Sequence, residues 1–279
     1  MNLKKQLISS MKRLIYRVGL IVLFIANITT IYSKSPTEIA GAKQLFQKYN
    51  VNGSILILDR NKNEYSGYNL ERCNTGFSPA STFKIPNTLI ALETGVTTMD
   101  NIFCWDGEKR RYPRWEANMN ITQAFKVSNV PIYQDIARNI GLEKMKQYVR
   151  LLHFGEMDIN AENLDKFWLE GHSQITQYQQ IYFLTQLYNS TFPLKAETMD
   201  NVKQIMLLEE TKGYILRAKT GWSEIGGKDI GWFVGYFETT DNVYFFATNI
   251  EAVEQTDMSQ FGQIRIDLTK EIVSLIMKK

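Results

Sequence analysis

Apolar and polar positions change rhythm twice along this chain. Ser35-Pro36-Thr37-Glu38 has the form of a capping box with proline at the first helical position, and Ala40, Leu45 and Phe46 continue an amphipathic helix ending near Tyr49. Ser54 to Leu58 is a short apolar run, Asp59 to Gly67 gathers turn residues, and a second strand is expected from Tyr68 onward. The spacing then becomes helical. Ile85 to Leu92 reads as a helix that Pro86 should tighten or kink and Gly95 should stop. Trp105-Asp106-Gly107 is a turn. Helices are expected through most of Ile121 to Arg150, with Leu142 to Leu152 the clearest. They resume over Ile175 to Tyr188 and Thr198 to Leu208, after a mixed loop from Glu162 to Glu170. The texture changes again at Tyr214. Tyr214 to Ala218, Ile230 to Phe237 and Val243 to Ile250 are rich in aromatic and β-branched residues, with turns at Gly226-Gly227 and Thr240-Asp241-Asn242. Ile264, Leu268, Ile272 and Ile276 recur every four residues and mark a last amphipathic helix. Strands at both ends with helices between them predict an α+β fold. Its antiparallel sheet is built from both chain ends, flanked by the N- and C-terminal helices, beside a central helical lobe.

The 279 residues suffice for one large domain, and 44% hydrophobic with 22% charged residues is an ordinary globular balance. Five of the 32 basic residues, Lys4, Lys5, Lys12, Arg13 and Arg17, fall within residues 1–33, which hold no acid. The remainder has 27 basic against 29 acidic residues. That remainder has no global basic footprint for nucleic acid, so Lys109, Arg110, Arg111 and Arg114 read as a solvated or partner-facing loop. The basic start, the apolar stretch Val18 to Ala26 and the polar segment to Ser33 together read as a secretory signal over residues 1–33. They leave a domain over residues 34–279 and imply an exported, periplasmic or extracellular chain with no stable membrane association once the signal is removed. An uncleaved anchor is the alternative. Cys73 and Cys104 are the only cysteines, and their spacing is compatible with pairing or with two free thiols. No cysteine and histidine cluster suggests a metal.

The candidate chemistry centres on Ser81-Thr82-Phe83-Lys84, at the start of a helical run. Residues three apart share a helix face, so the Lys84 amine can approach the Ser81 hydroxyl. Serine becomes a nucleophile when a base takes its proton, and lysine serves as that base once apolar burial lowers its pKa. A helix N-terminus adds donors for an oxyanion. Alone the motif is weak, since roughly one such match arises by chance in a chain of this length. Two partners later in the chain give it weight: Ser128-Asn129-Val130 in the helical middle, then Lys219-Thr220-Gly221-Trp222 at the expected end of a strand. Serine-x-x-lysine, a second serine triad and lysine-threonine-glycine, in that order, mark serine β-lactamases and penicillin-binding proteins. His153 and His172 sit in no motif for a Ser-His-Asp triad.

Pro79-Ala80-Ser81-Thr82-Phe83-Lys84-Ile85, Ser128-x-Val130, Phe167-Trp168-Leu169-Glu170-Gly171 and Lys219-Thr220-Gly221-Trp222 resemble the class D, oxacillinase-type, serine β-lactamases, from about residue 35 to the end. The Ser-Asn-Val triad argues against class A. The resemblance implies that Ser81 is acylated by a small-molecule β-lactam and that Lys84, N-carboxylated by carbon dioxide, is the general base. It implies that Trp168 hydrogen-bonds that carbamate while Val130 and Leu169 screen it from water. Ser128, with Lys219 beside it, would return a proton to the departing nitrogen. Backbone N–H groups of Ser81 and Trp222 would form the oxyanion hole, with Gly221 in the same strand. Thr220 and Arg265 would anchor the substrate carboxylate. No metal and no cofactor beyond carbon dioxide is implied, and the chain would act as a monomer or homodimer. Phe154-Gly155-Glu156 departs from the family, which usually has asparagine where Glu156 stands. Two other functions share the motifs: a β-lactam sensor domain, which acylates without rapid turnover, and a penicillin-binding protein acting on peptidoglycan.

Overall fold

The computed structural model of the chain describes residues 35–277. The expected signal over residues 1–33 lies outside them. Seven strands form one sheet: β1 (Thr37–Glu38), β2 (Val51–Asp59), β3 (Glu64–Tyr68), β4 (Leu207–Glu210), β5 (Ile215–Ile225), β6 (Lys228–Glu238) and β7 (Val243–Ala252), in the order β1-β3-β2-β7-β6-β5-β4. Every pairing is antiparallel except β1 with β3, which is parallel, so the sheet is mixed at one edge. The eight α-helices among the described residues are α1 (Ala42–Lys48), α2 (Lys84–Glu93), α3 (Ile121–Lys126), α4 (Val130–Ile140), α5 (Leu142–Leu151), α6 (Gln177–Tyr188), α7 (Ala196–Ile205) and α8 (Phe261–Met277).

Both faces of the central strands are covered, which explains why they read as apolar runs and not as alternations. On β2, Leu56 and Leu58 face the helical lobe while Ile55 and Ile57 face outward. On β6, Trp232, Val234 and Tyr236 face the lobe, and Phe233 and Phe237 face out. On the inner face α6 packs directly on β2, β6 and β7, and the buried side chains of α2 to α5 and α7 join it in one core. The outer face packs against α1 and α8, whose Ile264, Leu268 and Ile272 are buried as their spacing predicts. Gly226 and Gly227 both take positive φ, at 60° and 73°, and close a two-residue hairpin that sets the β5–β6 register.

Several boundaries differ from the sequence expectation. Ser35-Pro36-Thr37-Glu38 caps no helix: Thr37 and Glu38 pair with Ser66 and Gly67, and α1 begins after Gly41. A local capping pattern lost there to an edge of the sheet that needed hydrogen-bond partners. The second strand ends at Tyr68, where the sequence pattern would start it, because pairing with β2 occupies Glu64 to Tyr68. Leu207 and Leu208 belong to β4 and not to the preceding helix. Lys219-Thr220-Gly221-Trp222 lies inside β5 and does not end it, because pairing with β6 runs unbroken to Ile225. Cys73 is buried and Cys104 exposed, and both are free thiols. Burial pushes the Cys73 thiol up to about 12, so it is inert.

Candidate active site

Ser81 lies on a 3₁₀ turn, Ala80–Phe83, that runs directly into α2. The turn is tight because Pro86 has no N–H to give an α-helical bond there. Ala80 holds φ at 48°, a conformation that alanine rarely adopts. Several bonds hold the turn in place. Thr82 bonds Pro79 O through both its N–H (3.1 Å) and its hydroxyl (2.7 Å), Gln180 Nε2 donates to Thr82 Oγ1 at 2.9 Å, and Trp232 Nε1 donates to Ser78 O at 2.8 Å. Local strain over-determined by surrounding bonds is characteristic of functional turns.

Lys84 opens α2 and is fully buried. Its Nζ donates to Ser81 Oγ at 3.0 Å and lies 5.1 Å from the centroid of the Tyr133 ring. Burial alone brings its pKa down to about 7. Beside it, Phe83 stacks on Trp168 at 5.3 Å. The Trp168 indole N–H is buried and has no hydrogen-bond partner. An indole N–H can only donate, so the protein buries a donor for which it supplies no acceptor of its own.

The second serine occupies a similar strained position. Ser128, between α3 and α4, has φ 55°. Asn129 caps α4 by accepting from Ile132 N, which fixes the turn. Lys219 Nζ reaches across from β5 and donates to Ser128 Oγ at 3.1 Å and to Thr220 O at 2.8 Å. Lys219 is buried over Phe125, and its pKa falls well below the usual lysine value, first through burial and then through the charges of Lys84, Arg265 and Arg114. The two lysines therefore sense each other, and the two serine–lysine pairs form one site.

β5 supplies the floor. A Cβ on Gly221 would lie 3.1 Å from Pro79 O and 3.2 Å from Thr82 Cγ2, so the strand approaches the Ser81 turn more closely than a side chain comfortably permits. Ala218 donates its N–H to Met206 O on the β4 side. Peptide groups alternate in direction along a strand, so the N–H groups of Thr220 and Trp222 face that same side. Pairing with β4 stops at Arg217, which leaves that stretch of edge open. Arg265, buried on α8, donates from Nη1 to Gly221 O at 2.5 Å and lies 5.8 Å from the Trp222 ring. Its Nε has no partner, and burial lowers its pKa to about 10. Trp222 is itself exposed, its Nε1 donating to Asp229 at 2.6 Å.

The sequence candidates thus gather as two hydrogen-bonded pairs, Ser81–Lys84 and Ser128–Lys219, with Thr220 and Gly221 beside them. Val130 and Leu169 are half-buried at the start of α4 and just after Trp168, and Leu169 packs on the inner core. His153 and His172 are both exposed and take no part. Glu156 is exposed and accepts from Gln174 Nε2 at 3.3 Å. Sequence reasoning missed Tyr133, whose hydroxyl lies 2.8 Å from Thr88 Oγ1 and whose ring faces Lys84, and Ser78, which bonds Trp168 O at 3.2 Å. Helical spacing marks Tyr133 only as core. Nothing about Ser78 in sequence points to its contact 90 residues away. Among the described residues no cluster of side chains is suited to a metal ion, and no helix is long and apolar enough to cross a membrane.

A serine and a buried low-pKa lysine on one turn, facing a serine and a strand lysine at the border of two lobes, define the serine acyl-transfer fold of penicillin-recognising enzymes. The penicillin-binding protein transpeptidase domain family matches residues 49–277. Within it the chain belongs to the class D β-lactamases. It is 39% identical to β-lactamase OXA-48 of Klebsiella pneumoniae, over 82% of this chain and 84% of that one. The crystal structure of the class D β-lactamase YbXI from Nostoc superposes with a TM-score of 0.80 at 43% identity, over 85% of this chain and 98% of that one. The regulatory protein BlaR1 of Bacillus licheniformis is 32% identical over 80% of this chain, which spans 37% of that protein's length.

Proposed function

We propose that the chain is exported and opens β-lactams through an acyl-enzyme on Ser81. The observation that carries this reading is the pair of buried contacts, Lys84 Nζ to Ser81 Oγ at 3.0 Å and Lys219 Nζ to Ser128 Oγ at 3.1 Å, within one electrostatically coupled site. Ser81 Oγ attacks the lactam carbonyl as its proton passes to the Lys84 side chain. The oxyanion is held by the backbone N–H groups of Ser81 and Trp222. When the ring C–N bond breaks, Ser128 gives its proton to the departing nitrogen and is recharged, through Lys219, by the proton that Lys84 took from Ser81, which leaves Lys84 free to act again. Thr220 and Arg265 hold the substrate carboxylate. Water, deprotonated from the Lys84 side, then attacks the ester and frees Ser81.

A carbon dioxide held on the Lys84 amine as a carbamate would supply a carboxylate-like base at that position. The residues present fit such a group. The amine is brought near neutrality by burial, and the Trp168 N–H is a buried donor lacking an acceptor; Val130 and Leu169 would screen the group from water.

Intact-mass measurement during exposure to benzylpenicillin tests the reading. Wild type should show a transient adduct of one penicillin, localised to Ser81 by peptide mapping, and Ser81→Ala should show none. Wild-type turnover in that variant would refute the assignment. A sensor domain is the second reading, favoured by the similarity to BlaR1. An adduct persisting for hours would select it over the hydrolase.

A further inference from the structure

We propose that Arg114, with Arg111 across the same aromatic ring, forms a second anion subsite at the mouth of the active site. It would select β-lactams that carry a side-chain carboxylate in addition to the one on the fused ring. The inference rests on the reading of the site given above. Its position follows from hydrogen bonds on either side of the second serine. Trp115 Nε1 donates to Val127 O at 3.0 Å, and Asn129 Nδ2 donates to Trp115 O at 3.5 Å. These bonds tie the turn carrying Arg114 to the residues immediately before and after Ser128.

Arg114 is exposed, with its guanidinium carbon 4.5 Å from the centre of the Tyr112 ring. Arg111 lies 5.4 Å from the same centre, and Tyr112 packs edge-on against Trp115 at 4.8 Å. The ring restrains both cations without neutralising them. The nearby acids of this loop are already engaged. Arg110 bridges Asp106 and Glu108 through its guanidinium, and its N–H bonds Glu116 at 2.9 Å. Neither Arg111 nor Arg114 has a carboxylate partner among the described residues. The Arg114 charge also reaches into the site, where it adds to the burial and the nearer charges of Lys84 and Arg265 that lower the Lys219 pKa. A restrained guanidinium with unused edge donors is suited to bidentate binding of a carboxylate. Of the four basic residues that read in sequence as a solvated or partner-facing loop, Arg110 holds the loop together, and Arg111 and Arg114 are available to an anionic ligand.

Benzylpenicillin and α-carboxybenzylpenicillin test this, because they differ by a single carboxylate on the side chain. The measurement is the ratio of kcat/KM for the dianion to that for the monoanion, in wild type, Arg114→Ala and Arg114→Lys, with circular dichroism to confirm folding. The ratio should fall about fivefold in Arg114→Ala, through KM, and recover in part in Arg114→Lys. Raising the salt concentration should lower it in wild type and leave Arg114→Ala nearly unchanged. If wild type hydrolyses both penicillins and the ratio is the same in Arg114→Ala, the subsite is wrong while the active-site reading stands. If wild type hydrolyses neither, that reading fails and the subsite fails with it.

Discussion

On the outer face of the sheet, Phe46, Phe246, Phe261, Leu268 and Ile272 pack together, and the buried hydroxyls of Thr248 and Thr269 satisfy one another at 2.6 Å. On the inner face, the Lys84 and Lys219 amines, the Ser81 hydroxyl and an unpartnered indole N–H lie buried among rings that are no less apolar. The outer layer follows the usual rule that buried polar groups find partners, with Arg265 Nε on α8 an exception beside the site. The inner layer breaks it at Trp168, whose indole N–H has none, and buries the Lys84 amine with one hydrogen bond, to Ser81 Oγ. The sheet therefore divides its labour: one side contributes folding energy, and the other gives some up so that charged and donor groups are ready for a ligand. Substitutions on the two sides should separate rate from stability.

Lys84→Met should give the largest effect. If Lys84 supplies the general base, turnover of benzylpenicillin should fall by about 10³-fold or more. Stability should move the other way. Burial holds the amine near pKa 7, whereas in the unfolded chain it titrates near 10.4. Between those values the unfolded chain binds a proton that the folded chain lacks. Wild-type stability therefore rises with pH across that window and is flat below it. Lys84→Met lacks this slope, so its advantage is greatest at or below pH 7, on the order of 5 kcal/mol at most, and shrinks toward pH 10. Thermal melts of both proteins from pH 6 to 10 would check it. The same pKa predicts that wild-type turnover falls as pH drops below about 7, where the amine protonates.

Leu268→Ala probes the opposite face. Leu268 is fully buried against the outer core, so its truncation should cost about 2–5 kcal/mol in urea unfolding. Turnover per folded molecule should stay within about twofold. A large loss of kcat with native stability would mean that the two faces do not divide as described.

Trp168→Phe keeps the ring stacked on Phe83 and removes only the N–H. If that donor serves the carbamate, turnover should fall about tenfold at ambient carbon dioxide, and added bicarbonate should restore it. Stability should be unchanged or slightly higher, because an unpartnered buried donor has been deleted. A variant with wild-type turnover and no bicarbonate response would remove this role from Trp168.

How much of this was legible in the sequence depends on range. The helices over Ile175 to Tyr188 and Ile264 to Ile276 follow from periodicity, and the hairpin at Gly226-Gly227 from turn chemistry, because each is decided by neighbours in the chain. The convergence of Ser81, Lys84, Ser128 and Lys219 was legible for a different reason: three short motifs in a fixed order matched a known family. What the sequence hid was set by distant contacts. The pattern Ser35 to Glu38 gave way to sheet pairing with Ser66 and Gly67. The left-handed φ of Ala80 and Ser128 has no residue signature, since neither is glycine. The partnerless N–H of Trp168 is visible only once its surroundings are assembled.

Gly221→Ala should give the smallest effect, and it tests the junction of the two faces. The added methyl points inward and meets Pro79 O at 3.1 Å, Thr82 Cγ2 at 3.2 Å and Trp232 Cβ at 3.2 Å. None is the free end of a long side chain. Pro79 O already accepts two bonds from Thr82, and Trp232 is anchored to Ser78 O. Relief must come from a shift of a few tenths of an ångström between β5 and the Ser81 turn. Such a shift costs little stability, about 1 kcal/mol, since no cavity opens and no hydrogen bond breaks. It would, however, displace the Trp222 N–H relative to Ser81 Oγ, and attack geometry is sensitive on that scale. The expected result is a several-fold drop in kcat with KM and melting temperature nearly unchanged. Wild-type kcat would show that the strand and the turn need not approach so closely for the oxyanion to be held.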